Sequence, residues 1–402
     1  MAIAEKKLNL LSLDGGGIRG LSSLYILKHV MESINPECPP KPCEYFDMIA
    51  GTSTGGLIAI MLGRLKMDVN ECIDAYNTLA TQAFTRKAYL PITIAGQVKE
   101  RFDSKQLEAA LKKAIADRLH DQDALLKDPD TSCRVVLCAT RGGTSTTATL
   151  RSYRNERECS ELYNTVKIWE AGRATSAASS FFDPITIGPN GQQFFDGATG
   201  ANNPIRHLWM EAKDIWSDAP LEDQIGSIVS IGTGVPQMTR YETKGIAGLK
   251  TLKACVTETG YTEEEFALEH SDLVANNQYF RFNVPGGLAE IGLEKVAKID
   301  LIVGITEKHL AENVVRERVK ACAGSLSKSK GHSISKRPSS KASAWEVTGL
   351  VRAQVQNHKE SYELEHITRN THAQEQTQTT DVRQPCSRNK KFFGLFGNKK
   401  TR

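Results

Sequence analysis

Three short stretches of the sequence set reactive side chains beside glycine. The first is Gly51-Thr52-Ser53-Thr54-Gly55, a Gly-x-Ser-x-Gly pattern that Gly56 extends. A serine between a strand and a helix on such a turn sits on a sharp bend, where flanking glycines remove clashes and the hydroxyl stands free at the sheet edge. The following helix aims its positive end at any anion that develops there. This is the chemistry of a nucleophile for acyl transfer. The second stretch is Asp14-Gly15-Gly16-Gly17-Ile18-Arg19-Gly20, in which consecutive glycines let backbone N–H groups converge on an anion. The third is Asp196-Gly197-Ala198, followed by Asn202-Asn203-Pro204. A carboxylate just past a strand end can reach the serine of a neighbouring strand. It serves as a base if desolvation lifts its pKa above the usual value of about 3.9.

The glycine loop admits a rival reading. Gly15, Gly17 and Gly20 satisfy the spacing of a dinucleotide loop, which also requires an acidic residue about twenty positions further on for the ribose. Glu32 falls inside the first helical pattern and Glu37 in a Pro-rich loop, so that ligand is missing. No Gly-Lys-Ser/Thr follows, which excludes a Walker loop. An oxyanion hole, with two N–H donors facing a transient charge, accounts better for the glycines. A nucleotide-binding module and a catalytically silent scaffold are the alternatives. Intact Ser53, Asp196 and glycines argue against silence.

The elements that must position these residues follow from hydropathy. Leu8–Leu13 is an apolar run ended by Asp14 and predicts a buried strand. Leu21, Leu24, Leu27, Met31 and Ile34 recur at helical spacing until Pro36. Tyr45–Ala50 predicts a second strand and Thr54–Leu65 a helix, with further helices over 69–83 and 104–118. Arg134–Ala139, Thr147–Tyr153, Phe181–Ile187, Gln193–Phe195, Ser227–Ile231 and Tyr279–Val284 predict strands. A helix over 166–178 carries the small residues Ala171, Gly172, Ala174, Ala177 and Ala178. Strands alternating with helices predict a three-layer α/β/α domain with a largely parallel central sheet.

Taken in order, Asp-Gly-Gly-Gly-x-Arg-Gly, Gly-x-Ser-x-Gly and Asp-Gly-Ala with Asn-Asn-Pro resemble the patatin-like phospholipase family, over at least 8–210. The resemblance implies Ser53 as nucleophile, Asp196 as its base in a dyad without histidine, and an oxyanion hole from the loop Gly15, Gly16 and Gly17. Arg19 would brace that loop. It also implies calcium-independent hydrolysis of acyl esters of membrane glycerolipids, with no cofactor. A triad is the lesser expectation, since His207, His270 and His309 lie in helical, largely charged surroundings. Asp47 is expected to be a structural hydrogen bonder, and Cys138 a small buried hydrophobe.

Composition is that of a globular protein, 40% hydrophobic and 24% charged across 402 residues. The net charge of +4 hides an asymmetry: residues 325–402 hold 15 Lys+Arg against 6 Asp+Glu, leaving 36 against 41 for residues 1–324. A catalytic domain is therefore expected over 1–324 and a flexible basic tail, disordered in large part, over 325–402. Within the tail, 345–367 has a thin helical stripe, while 370–390 is rich in Gln and Thr. Lys390–Lys400 brackets three phenylalanines and a leucine with lysine pairs, a pattern suited to an anionic membrane surface. Nine scattered cysteines form no CxxC and no zinc site, so reduced thiols are expected. With no signal-like segment and no spanning run, a cytoplasmic or peripheral membrane protein is expected. No feature points to nucleic acid.

Overall fold

The computed structural model describes residues 7–84, 101–156, 160–179, 181–235 and 259–331. Its centre is a mixed sheet in the order β5-β6-β3-β2-β1-β7-β8, with β4 beside β3. The parallel part comprises β3 (Arg134–Arg141), β2 (Met48–Thr52), β1 (Leu8–Leu13), β7 (Ile225–Ile231) and β8 (Tyr279–Phe282). The remaining strands, β4 (Thr147–Arg151), β5 (Ile185–Ile187) and β6 (Gln192–Asp196), pair antiparallel.

Every residue of β1, β2 and β7 is buried, as parallel strands covered on both faces must be. Alternate side chains enter two separate cores. Leu11, Leu13, Ile49, Val135, Leu137, Val229 and Ile231 join a large core with the helices Gly20–Ile34, Val69–Ala83 and Ser104–Leu119. Leu10, Met48, Ala50, Val136 and Ile228 join a smaller one with the helices Ile205–Ile215 and 259–269. This is the expected three-layer arrangement.

One edge of β3 carries the site. Cys138 pairs with Thr52 of β2 and Thr149 of β4, whereas Ala139 pairs with Ala148 of β4 and Asp196 of β6. A strand has only two edges. With β4 on one, β2 and β6 must share the other, β6 taking over where β2 ends.

Several boundaries differ from expectation. The second strand begins at Met48 because Pro42–Tyr45 forms a helical turn, with Pro42 at its first position where a missing N–H costs nothing. Only Ile185–Ile187 of Phe181–Ile187 is strand. Phe181 stacks on Phe102 and Phe182 packs tilted against it, at ring centroids 5.8 and 5.9 Å apart, and this aromatic packing outweighs their strand preference. The predicted helix 166–178 is shortened to Ile168–Thr175.

At the other end, residues 325–329, expected to begin a flexible linker, are helical instead. The helix Asn313–Ser329 runs through Gly324, burying Leu326 and Ser327 against the large core. Lys330 follows, its Nζ 3.0 Å from Asp47 Oδ1 in a nearly buried ion pair. Asp47 also accepts the Asn9 N–H through Oδ2 at 2.8 Å, so it joins strand starts, as expected of a structural residue. The chain divides compactly at Met1–Ser335 and Lys336–Arg402. The expected features of the tail, Lys390–Lys400 included, lie outside the described residues. Leu326→Ala should cost about 2–5 kcal/mol of stability, seen as a lower urea midpoint. A linker residue would leave the midpoint unmoved.

Candidate active site

Ser53 joins β2 to the helix Thr54–Ala59 with φ 54° and ψ −123°, a backbone conformation that side-chain-bearing residues rarely hold. The turn is tight enough that only glycine fits on either side. A Cβ at Gly51 would lie 2.1 Å from Gly55 O, and one at Gly55 would lie 2.1 Å from Leu13 O. The strain is held by hydrogen bonds from distant chain. Ser53 N–H donates to Thr175 Oγ1 at 2.8 Å, and Ser53 O accepts Leu57 N–H at 3.0 Å. The flanking threonines fasten the turn to both neighbours: Thr52 Oγ1 donates to Ala201 O, and Thr54 Oγ1 donates to Gly17 O at 2.9 Å.

The glycine loop lies across from this turn, with each of its carbonyls engaged. Thr233 Oγ1 donates to Gly15 O at 2.8 Å, Arg19 Nε to Gly16 O at 3.3 Å, and Tyr76 OH to Gly17 O at 2.6 Å. Gly17 takes φ 55°, which glycine adopts without penalty. Among the described residues, neither Gly16 N–H nor Gly17 N–H has an acceptor. Gly15 departs from expectation: its N–H donates to Asn202 O at 3.0 Å, because the Asn202 turn packs directly on the loop. It is therefore not an open donor, and the pair that can hold an anion is Gly16 and Gly17. Arg19 braces the loop as expected, with a second bond from Nη1 to Ala289 O at 3.1 Å. Its burial lowers its pKa to about 10, so it stays charged near neutrality.

Asp14, at the head of the loop, is fully buried and gripped by both guanidinium nitrogens of Arg281, which also reaches Ser230 Oγ at 2.8 Å. Burial alone would depress the Arg281 pKa, and the Asp14 carboxylate more than reverses it. Gly20 is a packing glycine, since a Cβ there would meet Thr54 Cγ2 at 1.9 Å.

Asp196 closes β6 and is 5% exposed. Its N–H donates to Ala177 O at 3.0 Å, its carbonyl accepts Thr140 Oγ1 at 2.9 Å, and Oδ1 accepts Ala198 N–H at 2.8 Å. Gly197 lies against the Cys138 carbonyl. Oδ2 is buried without a partner at hydrogen-bond distance. Burial pushes the pKa up to about 7, with the Ser53 hydroxyl and the Ala198 N–H pulling the other way. The site thus joins a serine on a strained turn, a desolvated carboxylate and two open N–H donors.

The patatin-like phospholipase family model matches residues 11–209, the region that supplies all of these groups. Residues 11–209 form a patatin-like phospholipase domain. Calcium-independent phospholipase A2-gamma of Mus musculus is 31% identical over 285 residues, 70% of this chain and 35% of that protein. The Rattus norvegicus protein of that name is 31% identical over 336 residues, 82% of this chain and 41% of that one. Phospholipase A I of Arabidopsis thaliana is 27% identical, covering 70% of this chain and 25% of its own. The chain spans less than half the length of these relatives.

Other polar groups have separate duties. His270 packs between Trp209 and Phe266, at ring centroids of 4.3 and 4.4 Å, with its pKa lowered by burial. His309 pairs with Glu312 at 3.3 Å. His207 sits in the helix Ile205–Ile215, with its pKa also lowered by burial. Among the described residues, no hydrogen bond joins a histidine to Ser53 or Asp196, and no group of His, Cys, Asp and Glu could hold a metal ion. Cys138 is buried in β3, its thiol pushed up to about 12 by burial. No described helix is long and apolar enough to cross a membrane.

The raised pKa of Asp196 ties stability to pH. From about 3.8, the unfolded value, to about 7, the native state keeps a proton that the unfolded chain has released. Stability therefore falls as pH rises through this window and levels off above it. Asp196→Asn, neutral throughout, should be more stable than wild type at pH 8, with the advantage vanishing toward pH 4. Urea midpoints at the two pH values measure this; an advantage of the same size at both would contradict a buried, raised carboxyl.

Proposed function

We propose that the protein is a lipid acyl hydrolase that cleaves fatty-acyl esters of membrane glycerolipids through a Ser53–Asp196 dyad and an acyl-enzyme. Ser53 Oγ attacks the ester carbonyl carbon while its proton passes to Asp196 Oδ2. The carbonyl oxygen becomes an oxyanion, held by the N–H groups of Gly16 and Gly17 and by the positive end of the helix Thr54–Ala59. The C–O bond to the leaving alcohol breaks as Asp196 returns the proton to the alcohol. Water, deprotonated by the same carboxylate, then attacks the acyl-enzyme; the fatty acid departs and the proton returns to Ser53. The sequence needs neither a metal nor a cofactor, in keeping with relatives named calcium-independent.

One observation carries this reading. Asp196 keeps a buried Oδ2 without a hydrogen-bond partner, and burial, opposed by the Ser53 hydroxyl, raises the carboxyl pKa to about 7, where a carboxylate makes a useful base at neutral pH. Phospholipids are the favoured substrates because the matched family and the named relatives are phospholipases.

Ser53→Ala should lose hydrolysis of phospholipid vesicles by at least about three orders of magnitude, with or without EDTA. Wild-type kcat/KM should rise with pH through about 7, as Asp196 ionises. A Ser53→Ala enzyme keeping a tenth of the wild-type rate would overturn the proposal. The second proposal is that Lys390–Lys400 binds anionic bilayers. Four lysines contribute about 1 kcal/mol each near such a surface, and the inserted aromatics add apolar burial. Full-length protein should co-sediment with anionic vesicles more than a 1–388 truncation, the gap closing in high salt. Equal binding at low salt would exclude the segment as an anchor.

A further inference from the structure

Thr175 closes the helix Ile168–Thr175 and has no solvent exposure. Its hydroxyl is fully employed. It donates to Cys138 O at 2.7 Å and accepts the Ser53 N–H at 2.8 Å. Cys138 is the β3 residue that pairs with Thr52, and Ala139, the next along, pairs with Asp196. Two residues beyond Thr175, Ala177 O accepts the Asp196 N–H at 3.0 Å. The segment 175–177 therefore holds the backbones of both dyad residues and ties them to one strand. Gly56 makes room for it, since a Cβ there would lie 2.8 Å from both Thr175 Cγ2 and Oγ1.

We infer that Thr175 is the positioning residue for the nucleophile: its hydroxyl fixes the strained Ser53 turn at the separation from Asp196 that proton transfer requires. The inference rests on the reading of Ser53 as the nucleophile. A φ of 54° at Ser53 is unfavourable unless its surroundings over-determine it. With the hydroxyl gone, a buried N–H is left unpaired and the turn relaxes toward a conformation that gives it an acceptor. The Ser53 hydroxyl then drifts from the carboxylate and from the Gly16 and Gly17 donors.

The test compares Thr175→Val, which keeps the shape and loses the hydroxyl, with Thr175→Ser, which keeps the hydroxyl and loses a methyl. Thr175→Ala, smaller than either, serves as a second hydroxyl-free variant should valine not fold. The readouts are vesicle hydrolysis and the rate constant for fluorophosphonate labelling of Ser53, each per folded protein as measured by circular dichroism. Thr175→Val and Thr175→Ala should lose about tenfold to a hundredfold in both kcat and labelling rate, with KM unchanged. Thr175→Ser should recover most of both. A hydroxyl-free variant that melts at lower temperature but labels at the wild-type rate would overturn the inference, leaving Thr175 a merely structural residue. So would a serine variant as slow as valine. A Ser53→Ala protein labelled as strongly as wild type would instead remove the nucleophile reading itself.

Discussion

Along one edge of β3, parallel β2 gives way to antiparallel β6 between Cys138 and Ala139, and Ser53 and Asp196 meet because of that handover. The two residues are far apart in sequence, yet Thr52, which precedes Ser53, and Asp196 pair with the successive residues Cys138 and Ala139 of a third strand. Side-chain period is two in a strand, so a slip of β6 by one residue would turn the Asp196 side chain to the other face. Thr140 Oγ1 on the Asp196 carbonyl and Ala177 O on its N–H hold the register where β6 is short. The lower edge of the sheet is fixed in a comparable way, with Asp47 joining Asn9 and Lys330.

Polar groups on the inner side of the site are consumed by the scaffold, and this leaves the reactive ones free. Arg19, Tyr76, Thr54 and Thr233 occupy the carbonyls of the glycine loop, so its open N–H groups at Gly16 and Gly17 are left for an incoming oxygen. Arg281 pairs with Asp14 at the head of the loop, so no second bare carboxylate faces the proposed oxyanion site. Breaking that buried pair would leave one charge uncompensated, at a cost of about 3–5 kcal/mol. Asp196 alone among these groups keeps an unsatisfied oxygen. A strained φ and a desolvated carboxylate thus fall on the two residues proposed to carry the chemistry.

The candidate site was legible in the sequence because each of its groups lies on a local turn whose glycines are required by close approach. The buried run Leu8–Leu13 and the strand–serine–helix order were equally plain, since burial on both faces makes parallel strands continuously apolar. Long-range partners left no such trace. Arg281 on Asp14, Thr175 on Ser53 and Asn202 on Gly15 are single polar residues whose roles appear only when strand order is known. For this reason the sequence groups Gly15 with the oxyanion loop although its N–H is engaged by Asn202 O. Phe181 and Phe182 carry strand preference but find aromatic partners from other segments. Ser and Lys at 325–330 look like linker, yet Leu326 and Lys330 each have one specific buried contact there.

The proposed reaction requires one geometry: a tetrahedral species on Ser53 with its oxygen in the Gly16–Gly17 nest and its leaving group toward Asp196. A crystal structure of the protein after covalent reaction with a long-chain alkylphosphonate measures it directly. A bond from Ser53 Oγ to phosphorus is expected, with the phosphonyl oxygen about 3 Å from both N–H groups. The Asp196 carboxyl would lie on the opposite side, within hydrogen-bond reach of Ser53 Oγ. Phosphorus on another residue, or its oxygen turned away from Gly16 and Gly17, would contradict the account.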